Sequence, residues 1–312
     1  MPGQQRITRL LDSKTFTDNS IVTFDLGRNY DVEGYLVRLT ATINITTGGS
    51  AVRAEAPAQL VRLFTLQAEG RTTMLSVPGT VLAVAPFDRR SVGLRTPPSG
   101  FAVASYNVVQ EYFIDRSLIC GIRPKDSAFR TENLNILQLR AQIGLATDVL
   151  TGTPVGTITA GTLQVAEVGL QELRGPDGKR SVPQFMQKIT SSDYPVTASS
   201  TNFQIPLPVG NYLRAVLFRA SLSGEPSDAV INNVRVARGQ DVRWDLPWLM
   251  TRQHNRGTYG IALPTGYGVA DFCNIGQIAG IRATDAWNLR GGAETKATLD
   301  VTTGANASIN VT

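Results

Sequence analysis

The clearest signal along the chain is alternation. In GYLVRLTATINIT, Gly34 to Thr46, the residues Tyr35, Val37, Leu39, Ala41, Ile43 and Ile45 fall on one side, and Arg38, Thr40, Thr42, Asn44 and Thr46 on the other. A period of two with one apolar side predicts a β-strand lying between a core and solvent. Gly48-Gly49 ends it; LVRLFTLQAEG, Leu60 to Gly70, predicts a second strand, and NILQLRAQIGLAT, Asn135 to Thr147, a later one. In the second half NFQIP predicts a short strand, a Pro/Gly turn follows, and Tyr212 to Leu222 predicts a long strand before AVINNVRVARGQ. Helical periodicity is confined to short pieces that follow a proline: VPGTVLAVAPFDRR from Val77, PQFMQKI from Pro183, and LPWLMTRQH, Leu246 to His254. Proline suits a helix's first turn, where its missing N–H has no partner to lose. The Gly/Thr-rich LTGTPVGTITAGT, Leu150 to Thr162, predicts a hairpin or surface loop.

The order of these elements occurs twice. Each half runs short strand, turn, Tyr-Leu-led strand, polar turn, strand, glycine, and then a ten-residue phrase: GRTTMLSVPG from Gly70 and GQDVRWDLPW from Gly239. Both phrases place proline eight positions after glycine, at Pro78 and Pro247, with Leu75 matched by Trp244 and Val77 by Leu246. Tyr35 and Tyr212 are 177 positions apart and Gly70 and Gly239 only 169, so the first copy carries eight extra residues, which fit the turn containing TTGGSAVRAEAPA. A repeat this long is not a solenoid unit and predicts two similar domains. RGPDGKRSVP and SSDYPVTASST supply Pro/Gly/Ser linker chemistry between them, which gives expected domains of residues 1–192 and 193–312. A length of 312 residues accommodates two domains, or one large β domain.

Composition narrows the classes of function. Charged residues make up 18% of the chain, below the usual quarter, which suggests a surface partly covered by other protein. The positive charge is 25 Arg against 5 Lys, for a net +5. Arginine tolerates interfaces because its guanidinium is weakly hydrated and pairs bidentately; GC-rich codons would give the same bias. No window clusters Lys/Arg with interleaved aromatics, so sequence-specific nucleic-acid binding is not expected. Nor does a signal peptide or an apolar run of membrane-spanning length appear. Asn44, Asn306 and Asn310 head glycosylation patterns that, without a secretory route, are ordinary strand and turn residues. Cys120 and Cys273 lack metal-ligand spacing; they are either two buried thiols of a chain folded in a reducing cytoplasm or one disulfide.

Candidate chemistry is sparse. His254 is the single histidine, so a Ser-His-Asp or Cys-His arrangement must form around it or not at all. Glycines 152, 156 and 161 lack the Lys-Ser/Thr of a phosphate loop, and no grouping of His, Cys and carboxylates has metal-ligand spacing. No cofactor and no enzymatic activity are expected, although paired carboxylates of glycosidase type have no sequence signature of their own. Trp244, Trp248 and Trp287 are candidates for a sugar-stacking platform, or for core packing, which the repeat favours at the first two. Arg6, Arg9 and Lys14, beside Ile7, Leu10 and Leu11, make a basic N-terminal segment, either a solvated terminus or an arm touching a neighbouring subunit, a lipid headgroup or the genome.

The segments LPVGNYLRAVLFRASL, AVINNVRVARGQDVRWDLPWL and FDLGRNYDVEGYLVRLTATI, in this order and spacing, resemble the double jelly-roll major capsid proteins of tailless icosahedral phages, of corticovirus and tectivirus type. The resemblance covers about half of the chain. It implies two consecutive antiparallel jelly-roll β-barrels with a few short helices. It further implies a homotrimeric, pseudo-hexagonal capsomer that tiles an icosahedral shell, assembled in the host cytoplasm, over an internal membrane in the corticovirus case. Partners would be copies of the same chain, other virion proteins such as those at the vertices, and lipid or genome facing Arg6, Arg9 and Lys14. The alternative from the residues alone is a carbohydrate-binding or hydrolytic β-sandwich, a lectin or tail-fibre module.

Overall fold

The computed structural model describes residues 6–47, 51–84, 103–116, 128–170, 187–260, 262–272, 287–290 and 294–312. The chain divides into two compact units, Met1–Thr190 and Ser191–Thr312, against an expected change at 192/193.

The first unit contains β1 (Arg6–Phe16), β2 (Ile21–Asp25), β3 (Asp31–Thr47), β4 (Val61–Ala68), β5 (Thr72–Val77), helix α1 (Gly79–Val84), β6 (Ala104–Asp115), β7 (Phe129–Arg130), β8 (Leu137–Ile143), β9 (Val155–Leu170) and β10 (Ile189–Thr190). One sheet runs β1-β9-β3-β6 with β7 beside β3, and the other runs β10-β5-β4-β8-β2. Apart from the β4–β5 hairpin and the step from β6 to β7, successive strands cross from one sheet to the other, which is the wrapping of a jelly roll. Each sheet turns its apolar side chains toward one core, and β3 shows why the residues choose this form: from Tyr35 to Ile45 every odd position is buried. Phe64 meets Tyr112 edge-to-face at 4.9 Å across that core.

The second unit contains β11 (Ser192–Pro195), β12 (Ser200–Pro206), β13 (Tyr212–Leu213), β14 (Ala215–Leu222), β15 (Glu225–Pro226), β16 (Ile231–Arg238), β17 (Asp241–Pro247), helix α2 (Trp248–Tyr259), β18 (Tyr267–Asp271), β19 (Trp287–Asn288), β20 (Thr295–Val301) and β21 (Ser308–Val311). Its sheets run β11-β21-β14, with β18 and β15 on the other edge of β14, and β12-β20-β16-β17. Replacing β1, β9, β3, β6 by β11, β21, β14, β18, and β2, β8, β4, β5 by β12, β20, β16, β17, turns the first unit's order into the second's. The chain is all-β, a double jelly roll. The second core gathers Ile205, Phe218, Val234, Val236, Trp248 and Leu299.

Three expectations change. Leu150 to Thr162 is a loop only as far as Pro154: β9 starts at Val155 and pairs with β3 from Thr47 onward. Its glycines serve close approach within the sheet, since a Cβ on Gly156 would lie 2.7 Å from Ile45 Cδ1 and one on Gly161 2.4 Å from the Phe16 ring. The β-branched Val155, Thr157, Ile158, Thr159 and Thr162 favour the extended backbone. Tyr212 to Leu222 is interrupted at Arg214, with β13 pairing β19 while β14 pairs β18 and β21. The strand expected over Asn135–Thr147 ends at Ile143, because a 3-10 turn over Ala146–Val149 is held by Asp18, which accepts from the Ala146 amide at 2.7 Å. Helices α1 and α2 follow Pro78 and Pro247; PQFMQKI lies outside the described residues up to Met186, and its last residue, Ile189, opens β10.

Candidate assembly surfaces

The repeated phrase occupies the same station in both units. Gly70 and Gly239 stand in the β4–β5 and β16–β17 turns with φ of 64° and 57°, the left-handed region that glycine enters without a Cβ penalty. Leu75 faces Leu66 and Val77 faces Phe64; in the second hairpin Trp244 faces Val236 and Leu246 faces Val234. Each hairpin carries a bulge, at Met74 in one and at Arg243 in the other, 169 positions apart. Pro78 and Pro247 then start the helices. The next position differs: it is Gly79 in α1 and Trp248 in α2. A Cβ on Gly79 would lie 2.6 Å from the Val61 carbonyl oxygen, so α1 sits directly against backbone. In α2 the Trp248 ring fills the equivalent position and lies over Gly268, whose added Cβ would be 2.6 Å from it.

Around α2 a polar framework fixes the helix. Asp228 accepts from Trp248 Nε1 at 2.9 Å and from the Gly266 amide at 2.9 Å, and pairs with Arg252. The fully buried Asn255 side chain accepts from the Val269 amide and donates to the Val269 carbonyl, both at 2.8 Å, as a neighbouring strand would. Trp244, Trp248 and Trp287 are all buried, at 8%, 1% and 7% exposure, so none offers a face to a sugar. His254 lies on the exposed side of α2, edge-on to Trp244 at 5.1 Å. Among the described residues no three His, Cys, Asp or Glu gather as metal ligands, and Cys120 and Cys273 lie outside those residues.

The basic N-terminal segment is a strand rather than a free arm. Residues 6–16 form β1, the edge partner of β9, with Arg6 opposite Leu170. Arg9 pairs with Glu167 at 3.1 Å and lies 5.0 Å over the Tyr30 ring. Lys14 donates to the Thr23 carbonyl at 2.7 Å and lies 5.4 Å from the Phe24 ring. Cation–π contact and the carboxylate thus draw both charges across the barrel's edge.

Behind Arg9 is a polar row that the alternation of β9 signals, since Glu167 falls in phase with the apolar Leu163 and Val165. Glu167 faces Arg9 on β1 and Tyr35 on β3, and is 1% exposed. Burial pushes its carboxyl above the ordinary glutamate value, against the opposing pull of Arg9. Burial, with the Glu167 charge second, raises the Tyr35 hydroxyl too, and burial brings the Arg116 guanidinium down to about 10. Glu167 Oε1, the Tyr35 hydroxyl and two guanidinium nitrogens of Arg116 have no hydrogen-bond partner among the described residues.

The outward side of the same sheet carries a second row. Leu10 and Leu36 both face Ala166, and Leu36 also faces Phe113, which aligns Leu10, Ala166, Leu36 and Phe113 across four strands. Leu10 is 61% and Leu36 40% exposed. Further along, Thr40, Thr42, Asn44 and Thr46 of β3 sit beside Asn107 and Ser105 of β6, with Thr42 and Ser105 donating to Asn107 and Asn44 at 2.8 and 3.2 Å. This stretch of sheet is uncharged and small-polar, and Arg38 opposite Glu111 separates it from the apolar row.

No protein-family model matches the chain, and no curated protein sequence does. Solved structures do match it along nearly its whole length. The major capsid protein of STIV, the Sulfolobus Turreted Icosahedral Virus, aligns with a TM-score of 0.75 at 16% identity, over 98% of this chain and 95% of that one. The major capsid protein P2 of bacteriophage PM2 aligns at 0.59 and 13% identity, over 98% and 96%. The PBCV-1 virus capsid protein aligns at 0.59 and 11%, over 99% and 92%. The fold of this chain is therefore the double jelly roll of viral major capsid proteins. It is shared between phage and other viruses, and does not single out the phage type.

Proposed function

We propose that the chain is a viral major capsid protein, a structural subunit located in the virion shell and not an enzyme. The observation that carries this reading is full-length agreement in fold, in both directions, with capsid proteins of several viruses. In this reading three copies form a pseudo-hexagonal capsomer, and capsomers tile an icosahedral shell assembled in the host cytoplasm. The low charge fraction and the apolar row of Leu10, Ala166, Leu36 and Phe113 support a surface made to be covered by further copies, because an exposed apolar row on a soluble monomer is a liability. Other virion proteins, such as those at vertices, would meet the same shell. With Arg9 and Lys14 engaged by the barrel, Arg6 is the basic residue this reading assigns to lipid or genome beneath the shell.

The test is the solution mass of the purified protein by light scattering, followed by electron microscopy of the same fraction. A species near three times 33.6 kDa, or tiles and shells, is expected. A monomer persisting at high concentration would sink the proposal.

A further inference from the structure

We propose that docking of β1 over the first barrel is proton-coupled at Glu167: the strand is held more tightly when this carboxyl is protonated than when it is ionised. The inference is independent of the capsid reading. Its basis is geometric. Strand β1 is an edge strand that pairs only with β9 among the described residues, and its sole buried large apolar side chain there is Phe16. The side chains it turns over the barrel's edge include Arg9 and Lys14 beside the half-buried Ile7 and Leu11, so its hold depends on polar contacts as well as on apolar burial. Glu167 lies directly beneath it, with one oxygen, Oε2, paired to Arg9 and the other, Oε1, buried without a hydrogen-bond partner among the described residues.

The surroundings of Glu167 leave the ionised form poorly compensated. From β1 the facing charge is Arg9, itself 37% exposed and shared with the Tyr30 ring. From β3 it is the neutral Tyr35 hydroxyl, with the carboxylates of Asp31 and Glu33 further along that strand. The loop from β2 to β3 presents Gly27, whose added Cβ would lie 3.3 Å from Glu167 Oε2. Arg116, just past β6, bonds to the Gln187 carbonyl at 2.6 Å and stacks on Phe129 instead. Undocking β1 returns Glu167 to water and its ordinary titration. Docking buries it, and a buried carboxylate oxygen without a donor is costly unless it takes a proton.

The sign follows. The docked carboxyl has the higher pKa, so the docked state binds more protons wherever pH lies between the hydrated and docked values. The contribution of Glu167 to docking is fully present below the hydrated value and is lost as pH rises through the docked one. Docking weakens by about tenfold for each pH unit of that difference.

Hydrogen exchange of the whole chain tests this, read on peptides from β1, corrected for intrinsic exchange, between about pH 5 and pH 8. The β16–β17 hairpin is the internal reference. Expected is β1 protection that falls with rising pH against a constant reference, and a flat, high protection in Glu167→Gln, whose amide still accepts from Arg9. Protection independent of pH, protection that increases with pH, or an unchanged slope in Glu167→Gln would overturn the proposal. Should Glu167→Gln fail to fold, Arg9→Met supplies the second reading. Removing the cation must move the midpoint of the β1 transition to higher pH, and an unmoved midpoint counts against Glu167 as the titrating group.

Discussion

At Gly79 a single methyl group decides whether a helix can lie where it does. The Cβ of Gly79→Ala would meet the carbonyl oxygens of Val61 and Ala58 at 2.6 and 2.7 Å, neither of which can swing aside. We expect a loss of about 1–3 kcal/mol in denaturant unfolding. Gly268→Ala should lose a similar amount by pushing Trp248 off the sheet. Asn255→Ala removes two hydrogen bonds and strands a buried amide and carbonyl of Val269, and a loss of about 2–4 kcal/mol is expected in the same measurement. The sequence announces only part of this. Gly79 and Trp248 are visibly different letters at one repeated position, but that Trp248 leans on Gly268 depends on β18 arriving beneath it, a contact with no local signature.

At the scale of elements, the turns were the most readable. Glycine at the start of both phrases marks the left-handed residue of each hairpin, and Gly70→Ala or Gly239→Ala should each lose about 1 kcal/mol. The first hairpin has a second fastening. Glu69, also left-handed with φ of 54°, receives hydrogen bonds from the Asn135 amide and side chain. These bonds, the backbone one foremost, hold its carboxyl below the ordinary glutamate value. Its sign is opposite to that of Glu167: the contribution is present above the ordinary value and disappears as pH falls through the depressed one. Protection of the Asn135 amide, corrected for intrinsic exchange, should therefore fall on acidification, and Glu69→Gln should abolish that change. Alternation located β3, β4 and β16 because one side of each faces a core. It failed at β9, where glycines placed for close packing imitate a loop, and at β1, where Arg9 and Lys14 cover an edge that apolar residues normally would.

For the whole molecule, the duplicated strand order was legible from the spacing of strands and turns, and the outward row that the capsid reading assigns to contact with other copies was not. Leu36 precedes the polar side of β3 and looks like an irregularity until the register sets it beside Leu10, Ala166 and Phe113. Leu10→Asp combined with Leu36→Asp should leave the fold within about 0.5 kcal/mol, since both are exposed, while lowering the assembled fraction seen by light scattering. Normal assembly in that variant would remove the outward row from the contact surface.

The amide of Asn255 has one more implication. A strand edge with free N–H and C=O groups will accept any extended segment that drifts past, and crowding makes such encounters frequent. By occupying Val269 from the helix side, Asn255 leaves no place there for a foreign strand. The sheet therefore has an insulated edge at Val269 of β18, which in the proposed capsid role would keep ordered association from turning into fibre growth.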